Sequence, residues 1–134
     1  MRKLTAALLV VLAGCSMSAD TKMAEEAVAR FRTMLDAAQF EAIYAESADD
    51  LRKATTRDKF TAFLEAVHKK LGITKSAKEE SWNVNYHTSG TFITLSYATS
   101  YEGGDAREQF VYRLQGVNAK LAGYHITSDA LILK

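Results

Sequence analysis

Residues 20–38 are the first periodic stretch of the chain. Ala24, Ala27, Val28, Phe31, Met34, Leu35 and Ala38 recur there at helical spacing, and Glu25, Glu26, Arg30 and Arg32 fall elsewhere. Asp20 or Thr21 can cap the start, and the two glutamates suit the positive end of the helix dipole. Residues 40–46 predict a second, short helix with Ile43 and Tyr44 facing in, and residues 47–54 a helical turn carrying Leu51. Thr55, three residues before Asp58, forms an acidic variant of the capping box. It opens a helix whose Phe60, Phe63, Leu64, Val67 and Leu71 make one apolar stripe and which Gly72 ends. Residues 74–80 are polar and charged, a loop or a frayed strand start.

The period then changes to two. Trp82, Val84 and Tyr86 alternate with Asn83, Asn85 and His87, the pattern of a half-buried strand. Residues 91–101 predict a long strand with Ile93, Leu95, Tyr97 and Tyr101 on one side and Thr94, Ser96, Ala98 and Ser100 on the other. Glu102-Gly103-Gly104-Asp105 is a hairpin signal. Residues 107–115 follow, with Phe110, Tyr112 and Leu114 inward and Gln109, Arg113 and Gln115 outward. Residues 121–128 give the last strand, with Ala122, Tyr124 and Ile126 toward the core, and residues 131–133 either extend it or fold back on it. Helices followed by meandering strands predict an α+β fold, with N-terminal helices packed on one face of a four-stranded antiparallel sheet.

A different kind of segment precedes this pattern. Arg2 and Lys3 are followed by an apolar run from Leu4 to Leu12, about half the roughly 20 residues that a spanning helix needs. That is the layout of a secretory signal. It ends in Leu12-Ala13-Gly14-Cys15, which resembles the lipobox of bacterial lipoproteins. The resemblance implies a lipid on the Cys15 sulfur, cleavage before Cys15 and acylation of the new amino terminus. With Ser16 in place of Asp, it also implies sorting to the periplasmic side of the outer membrane. One acyl chain binds a bilayer marginally, whereas two or more hold it. The chain is then a signal peptide at 1–14, a lipidated Cys15 with a short tether over 15–19, and one domain over 20–134. A tether this short keeps the domain close to the lipid surface.

Composition narrows the picture further. Removing the signal leaves about 120 of the 134 residues, enough for one core without staples. The chain has one cysteine, so once Cys15 carries lipid no internal disulfide can form. A formal charge of +1 gives no field that would steer nucleic acid. There is no proline, repeat or low-complexity tract to mark a second domain.

The helical first half, the helix from Phe60 to Leu71-Gly72, the strand pair around Glu102 and Gly104, and the closing Lys120-Leu121-Ala122-Gly123-Tyr124-His125-Ile126 resemble the NTF2-like (cystatin-like) superfamily. The likeness covers roughly residues 23–128 and is to small secreted or lipid-anchored bacterial domains of unknown function. Many members carry Gly-x-Trp before the last strand; here Leu121 stands where Trp is usual, and Asn118-Ala119 replaces Asp-Gly. The resemblance implies a curved sheet closing on the helices as a cone, whose pocket serves some members as an active site.

Six inward positions form the candidate pocket: Trp82, Tyr86, Tyr97, Tyr101, Tyr112 and Tyr124. Tyrosine can act as an acid or donor, but no Asp or Glu falls on the registers read as inward to serve as a general base. No catalytic residue is therefore assigned. The tyrosines are either plain core with hydroxyls at its rim or the wall of a binding cavity. His68, His87 and His125 lack metal-ligand spacing, so no metal or other cofactor is expected. Gly103-Gly104 lies in a hairpin and not ahead of a helix, which excludes a phosphate loop. The expectation is a lipid-anchored periplasmic domain with a binding or scaffolding role. It would meet the membrane through Cys15 and a partner protein or second copy through the sheet face, or hold a small apolar ligand in the cone. The alternative is an NTF2-like isomerase or hydrolase, distinguished by a carboxylate or histidine beside the inner hydroxyls in a water-accessible cavity.

Overall fold

The computed structural model describes residues 15–133, with side chains from residue 19 onward. The predicted signal peptide lies outside the described residues. Helix α1 spans Cys15–Asp36. The stretch expected as a tether over 15–19 is thus helical and continuous with the domain, because Ser16-Met17-Ser18-Ala19 contains no residue that breaks a helix. Ala24, Val28, Phe31, Met34 and Leu35 form its buried stripe. Two short helices follow, α2 over Phe40–Ala45 and α3 over Asp49–Ala54, burying Ile43 and Leu51. Helix α4, Arg57–Leu71, is capped one residue later than expected: Thr56, not Thr55, accepts from the Lys59 amide at 3.2 Å. It buries Phe60, Leu64, Val67 and Leu71 and ends at Gly72, whose φ of +76° suits glycine.

Strands β1 (Thr74–His87), β2 (Gly90–Tyr101), β3 (Gly104–Gln115) and β4 (Asn118–Thr127) form one antiparallel meander in chain order, so β1 and β4 are the edges. Residues 74–80, read as a loop or frayed start, belong to β1 in full: despite their charge they pair with the far end of β2, Thr74 opposite Tyr101 and Lys78 opposite Ala98. A register shift between Glu79 and Ser81 makes Glu80 an extra residue, so Glu79 and Trp82 face the same side. A second shift between Val111 and Tyr112 sets Tyr112 opposite Leu121 and Val111 opposite Gly123. Ala122 is therefore the extra residue, and Leu121 takes the core position expected for Ala122. Residues after β4 fold back as a short helix α5, Asp129–Leu133.

All the large helices lie on one face of the sheet, and the core sits between the layers. Phe110 is its centre, fully buried between Phe31 of α1 and Tyr124 of β4, with ring centroids 5.0 Å from each. Backbone bonds fasten the helices to the sheet at two further points. The Ala48 amide donates to the Leu121 carbonyl at 2.8 Å, tying the start of α3 to β4. At the opposite end the Gly103 amide donates to the Leu71 carbonyl at 2.7 Å, so the β2–β3 turn closes over the end of α4.

The approach at Gly103 is close enough to require glycine: a Cβ there would lie 2.5 Å from the Lys70 carbonyl oxygen, backbone that cannot step aside. Gly123, by contrast, has nothing nearer than 3.7 Å to an added Cβ. Gly103→Ala is expected to cost about 1–3 kcal/mol in urea unfolding, the range for overpacking, and Gly123→Ala much less.

Candidate functional site

The pairing of β2 with β3 and β4 decides which side chains meet under α1. Tyr97 stands opposite Glu108, Leu95 opposite Phe110 and Ile93 opposite Tyr112, while Tyr124 of β4 stands opposite Phe110. Tyr97, Tyr101, Tyr112 and Tyr124 are all buried on this face. The other two expected pocket residues are not brought to them. Trp82 shares the face by register, opposite Leu95, yet is 47% exposed, and Tyr86 beyond it is 65% exposed. Both lie on an edge strand beyond the α1 contacts at Thr74 and Glu79, so alternation set them on the helix side while both stay largely exposed.

Glu108 organises the tyrosines that are buried. Its Oε2 accepts from the hydroxyls of Tyr101 and Tyr124, each at 2.5 Å, and its Oε1 accepts from Thr99 at 2.6 Å. Arg32 of α1 completes the set, its Nη1 lying 2.9 Å from the same Oε1. The Arg32 Nη2 also donates to Thr99 at 3.1 Å, and its guanidinium carbon sits 5.2 Å from the Tyr97 ring centroid and 5.5 Å from that of Phe110. Three hydroxyl donors and the Arg32 charge thus surround one carboxylate. The Glu108 side chain has 0% exposure and that of Arg32 12%. Burial, then the Glu108 charge, push the Tyr101 and Tyr124 hydroxyls well above the usual phenol range, so both stay protonated donors. Burial alone would lower the Arg32 pKa, but the Glu108 charge and hydrogen bond outweigh it.

This arrangement corrects the expectation that no carboxylate faces inward. Glu108 has the same parity on β3 as Phe110 and Tyr112, so alternation extended two residues toward the hairpin would have found it. Arg32 escaped notice because a charged residue beside an apolar helical stripe is ordinarily solvated.

A second carboxylate sits at the rim. Glu79 of β1 accepts from the Tyr97 hydroxyl at 3.3 Å and shares a hydrogen bond with Glu25 of α1. Partial burial, then the neighbouring Glu25 carboxyl, raise the Glu79 pKa from 4.5 to about 7. Two carboxyls that share one proton hold α1 to β1 only while that proton is present.

Open space lies elsewhere. Under α1 a cleft of about 50 Å³ runs between Phe31, Met34, Ile43, Tyr112 and Leu121, room for a water or two. The outer face of the sheet carries a groove of about 680 Å³ with Ala98 and Ser100 on its floor and Ser76, Lys78, Arg107 and Thr127 around it. Among the described residues no cluster of His, Cys, Asp or Glu could hold a metal ion. His68 packs edge-on to Phe40, His87 to Phe92, and His125 is exposed on β4.

A family model described as "Protein of unknown function (DUF4019)" matches residues 27–124, from the middle of α1 to the Tyr124 that bonds Glu108. No curated protein matches the chain.

Replacing one member of the ion pair leaves the other's charge buried. Arg32→Met and Glu108→Gln are each expected to cost about 3–5 kcal/mol in urea unfolding, and the double variant clearly less than their sum. The rim pair sets a pH dependence. A folded pKa of about 7 above the ordinary 4.5 gives Glu79 a stabilising contribution that is full below about pH 4.5 and is lost as pH rises through 7. The thermal midpoint of the wild type should therefore fall more between pH 5 and pH 8 than that of Glu79→Gln, which keeps a neutral hydrogen-bonding group at every pH.

Proposed function

The chain belongs to the DUF4019 family, and from that premise we propose that it is a lipid-anchored periplasmic domain that binds a protein partner at the cell envelope through the outer face of its sheet. The anchor rests on Leu12-Ala13-Gly14-Cys15 and on the signal that precedes it. The NTF2-like resemblance is consistent with N-terminal helices over an antiparallel meander.

One observation favours binding on the outer face over chemistry in the cone. The carboxylate that could act as a general base, Glu108, is shut from solvent with both oxygens hydrogen-bonded, and the cleft that reaches Tyr112 is about 50 Å³. A base must reach substrate, and a ligand cavity usually offers several hundred cubic ångströms. The groove on the opposite face, about 680 Å³ with a floor of small side chains, is open along its length and fits polypeptide better than an enclosed ligand. Its walls carry Lys78, Arg107 and Asp105, so recognition there is polar as well as steric.

Fractionated envelopes test both parts together. With a photo-crosslinking residue at Ser100, the wild-type chain should sediment with membranes and give a discrete adduct, whereas Cys15→Ser should leave the membrane fraction or persist as uncleaved precursor. The same probe at the exposed Ala62 of α4 should give none. A Cys15→Ser chain that still fractionates as mature lipoprotein removes the anchor; equal adducts at Ser100 and Ala62 remove the sheet face as the binding surface.

A further inference from the structure

The two ends of the sheet differ in a way that the binding groove does not explain. In a four-stranded meander the β1–β2 and β3–β4 turns lie at one end and the β2–β3 turn at the other. The β2–β3 turn is flanked by Glu102 and Asp105. Its opposite end is sparsely charged: residues 81–101 contain no Asp, Glu, Lys or Arg, and neither do residues 114–119. The charges that border them are Lys120, which acts on Glu46, and Arg113, which bonds the Ser89 carbonyl at 2.6 Å and is neutralised by Asp50 in a two-pronged pair at 2.7 and 2.8 Å. This same end exposes large apolar side chains, Trp82 and Tyr86 on β1 and Val117, 85% exposed, at the tip of the β3–β4 turn. A polar edge strand ordinarily carries charges that keep it from sticking, and this one has none beyond Glu80.

Helix α1 points its N-terminus toward that end. Asp36 accepts from the Thr74 amide at 3.1 Å at the start of β1, and Glu25, one helical stretch earlier, bonds Glu79 farther along the strand. The spacing agrees to within a residue: the helical segment between those residues is about 16 Å long and the strand segment, shortened by the extra residue at Lys75, about 14 Å. Ten more residues of helix bring the Cys15 backbone a further ~15 Å in the same direction, level with Trp82 to Tyr86. Because α1 is continuous from Cys15, no loose tether separates that backbone from the domain.

We propose that this sparsely charged end of the sheet, with Trp82, Tyr86 and Val117, seats in the headgroup layer of the bilayer that holds the Cys15 lipid. The inference rests on the lipid anchor proposed above. Trp and Tyr are the side chains that favour the membrane–water interface, where the ring is buried and its polar edge stays wet. Asn83, Asn85, Thr88, Ser89 and Asn118 add neutral donors and acceptors that bond headgroups without the cost of desolvating a charge. The acyl chains fix the end that faces the lipid, and the aromatic contacts limit tilt. The outer-face groove then runs away from the membrane, open to a partner.

Trp82 is the only tryptophan in the chain, so intrinsic fluorescence reports on this surface alone. The full-length lipidated protein is reconstituted in phosphatidylethanolamine–phosphatidylglycerol vesicles, with and without shallow-brominated acyl chains, and recovered by flotation. Emission should be blue-shifted, quenched about twofold or more by the brominated lipid, and resistant to aqueous iodide. Trp82→Phe/Val117→Trp, which moves the probe to the second turn, should behave likewise. Protein that floats while its tryptophan remains iodide-accessible and insensitive to bromine overturns this inference and leaves the anchor standing. A blue shift without bromine quenching overturns it too, and points to a second copy covering the surface. Protein that fails to float overturns the anchor and this inference together.

Discussion

The position of α1 over the sheet depends on a single carboxylate. The apolar stripe of α1, Ala24, Val28, Phe31 and Leu35, would tolerate some sliding along a sheet face that is itself uniformly apolar and aromatic. Glu108 does not. A shift of α1 by one turn, about 5.4 Å, would carry Arg32 out of reach and leave a buried carboxylate held only by hydroxyls. Thr99 and Tyr101 reach Glu108 from β2 and Tyr124 from β4, the two neighbours of β3, so the same carboxylate also fixes the lateral fit of three strands. A buried ion pair adds little net stability once desolvation is counted. Its consequence here is uniqueness: one arrangement of helix on sheet sets the Arg32 charge against Glu108, and neighbouring arrangements strand a charge.

Much of this fold could be read from residue order, and the failures have physical causes. The period-two alternation located β2, β3 and most of β4, and the stripe Phe60, Leu64, Val67 and Leu71 located α4. Alternation breaks where a strand carries an extra residue. Ala122 was expected in the core because counting by two from Tyr124 leads there, but the shift opposite Val111 and Tyr112 hands that place to Leu121. The charged start of β1 was missed for a different reason. Lys75, Lys78, Glu79 and Glu80 are acceptable in an edge strand, where one side faces water and charge discourages further pairing. Glu108 marks the limit of hydrophobic patterning: a charged residue on the buried face carries the right parity and the wrong polarity, and only its partners make the placement affordable.

Trp82 and Tyr86 show that a register is not the same as burial. The extra residue at Glu80 is what keeps them on the helix side; without it, counting by two from Glu79 would turn Ser81, Asn83 and Asn85 inward and both aromatics outward. The irregularity thus presents aromatics on the helix side of the sheet, where they stay 47% and 65% exposed. Glu80 itself is drawn to Arg107 on the outer face, which stabilises the kink from the other side of the sheet.

Between the Glu108 lock and Cys15, α1 is fastened to β1 by Glu25 and Glu79, whose shared proton is held near neutrality. The two fastenings differ in kind. Arg32 and Glu108 are an ion pair in a sealed site, whereas Glu25 and Glu79 attract as a singly protonated pair and repel once both ionise. Loss of that proton would therefore loosen the part of α1 above Glu25 and leave the part below Arg32 in place. The segment so released is the N-terminal part of α1 that leads to Cys15, so a change of proton concentration acts on that end of the helix and not on how the core is packed.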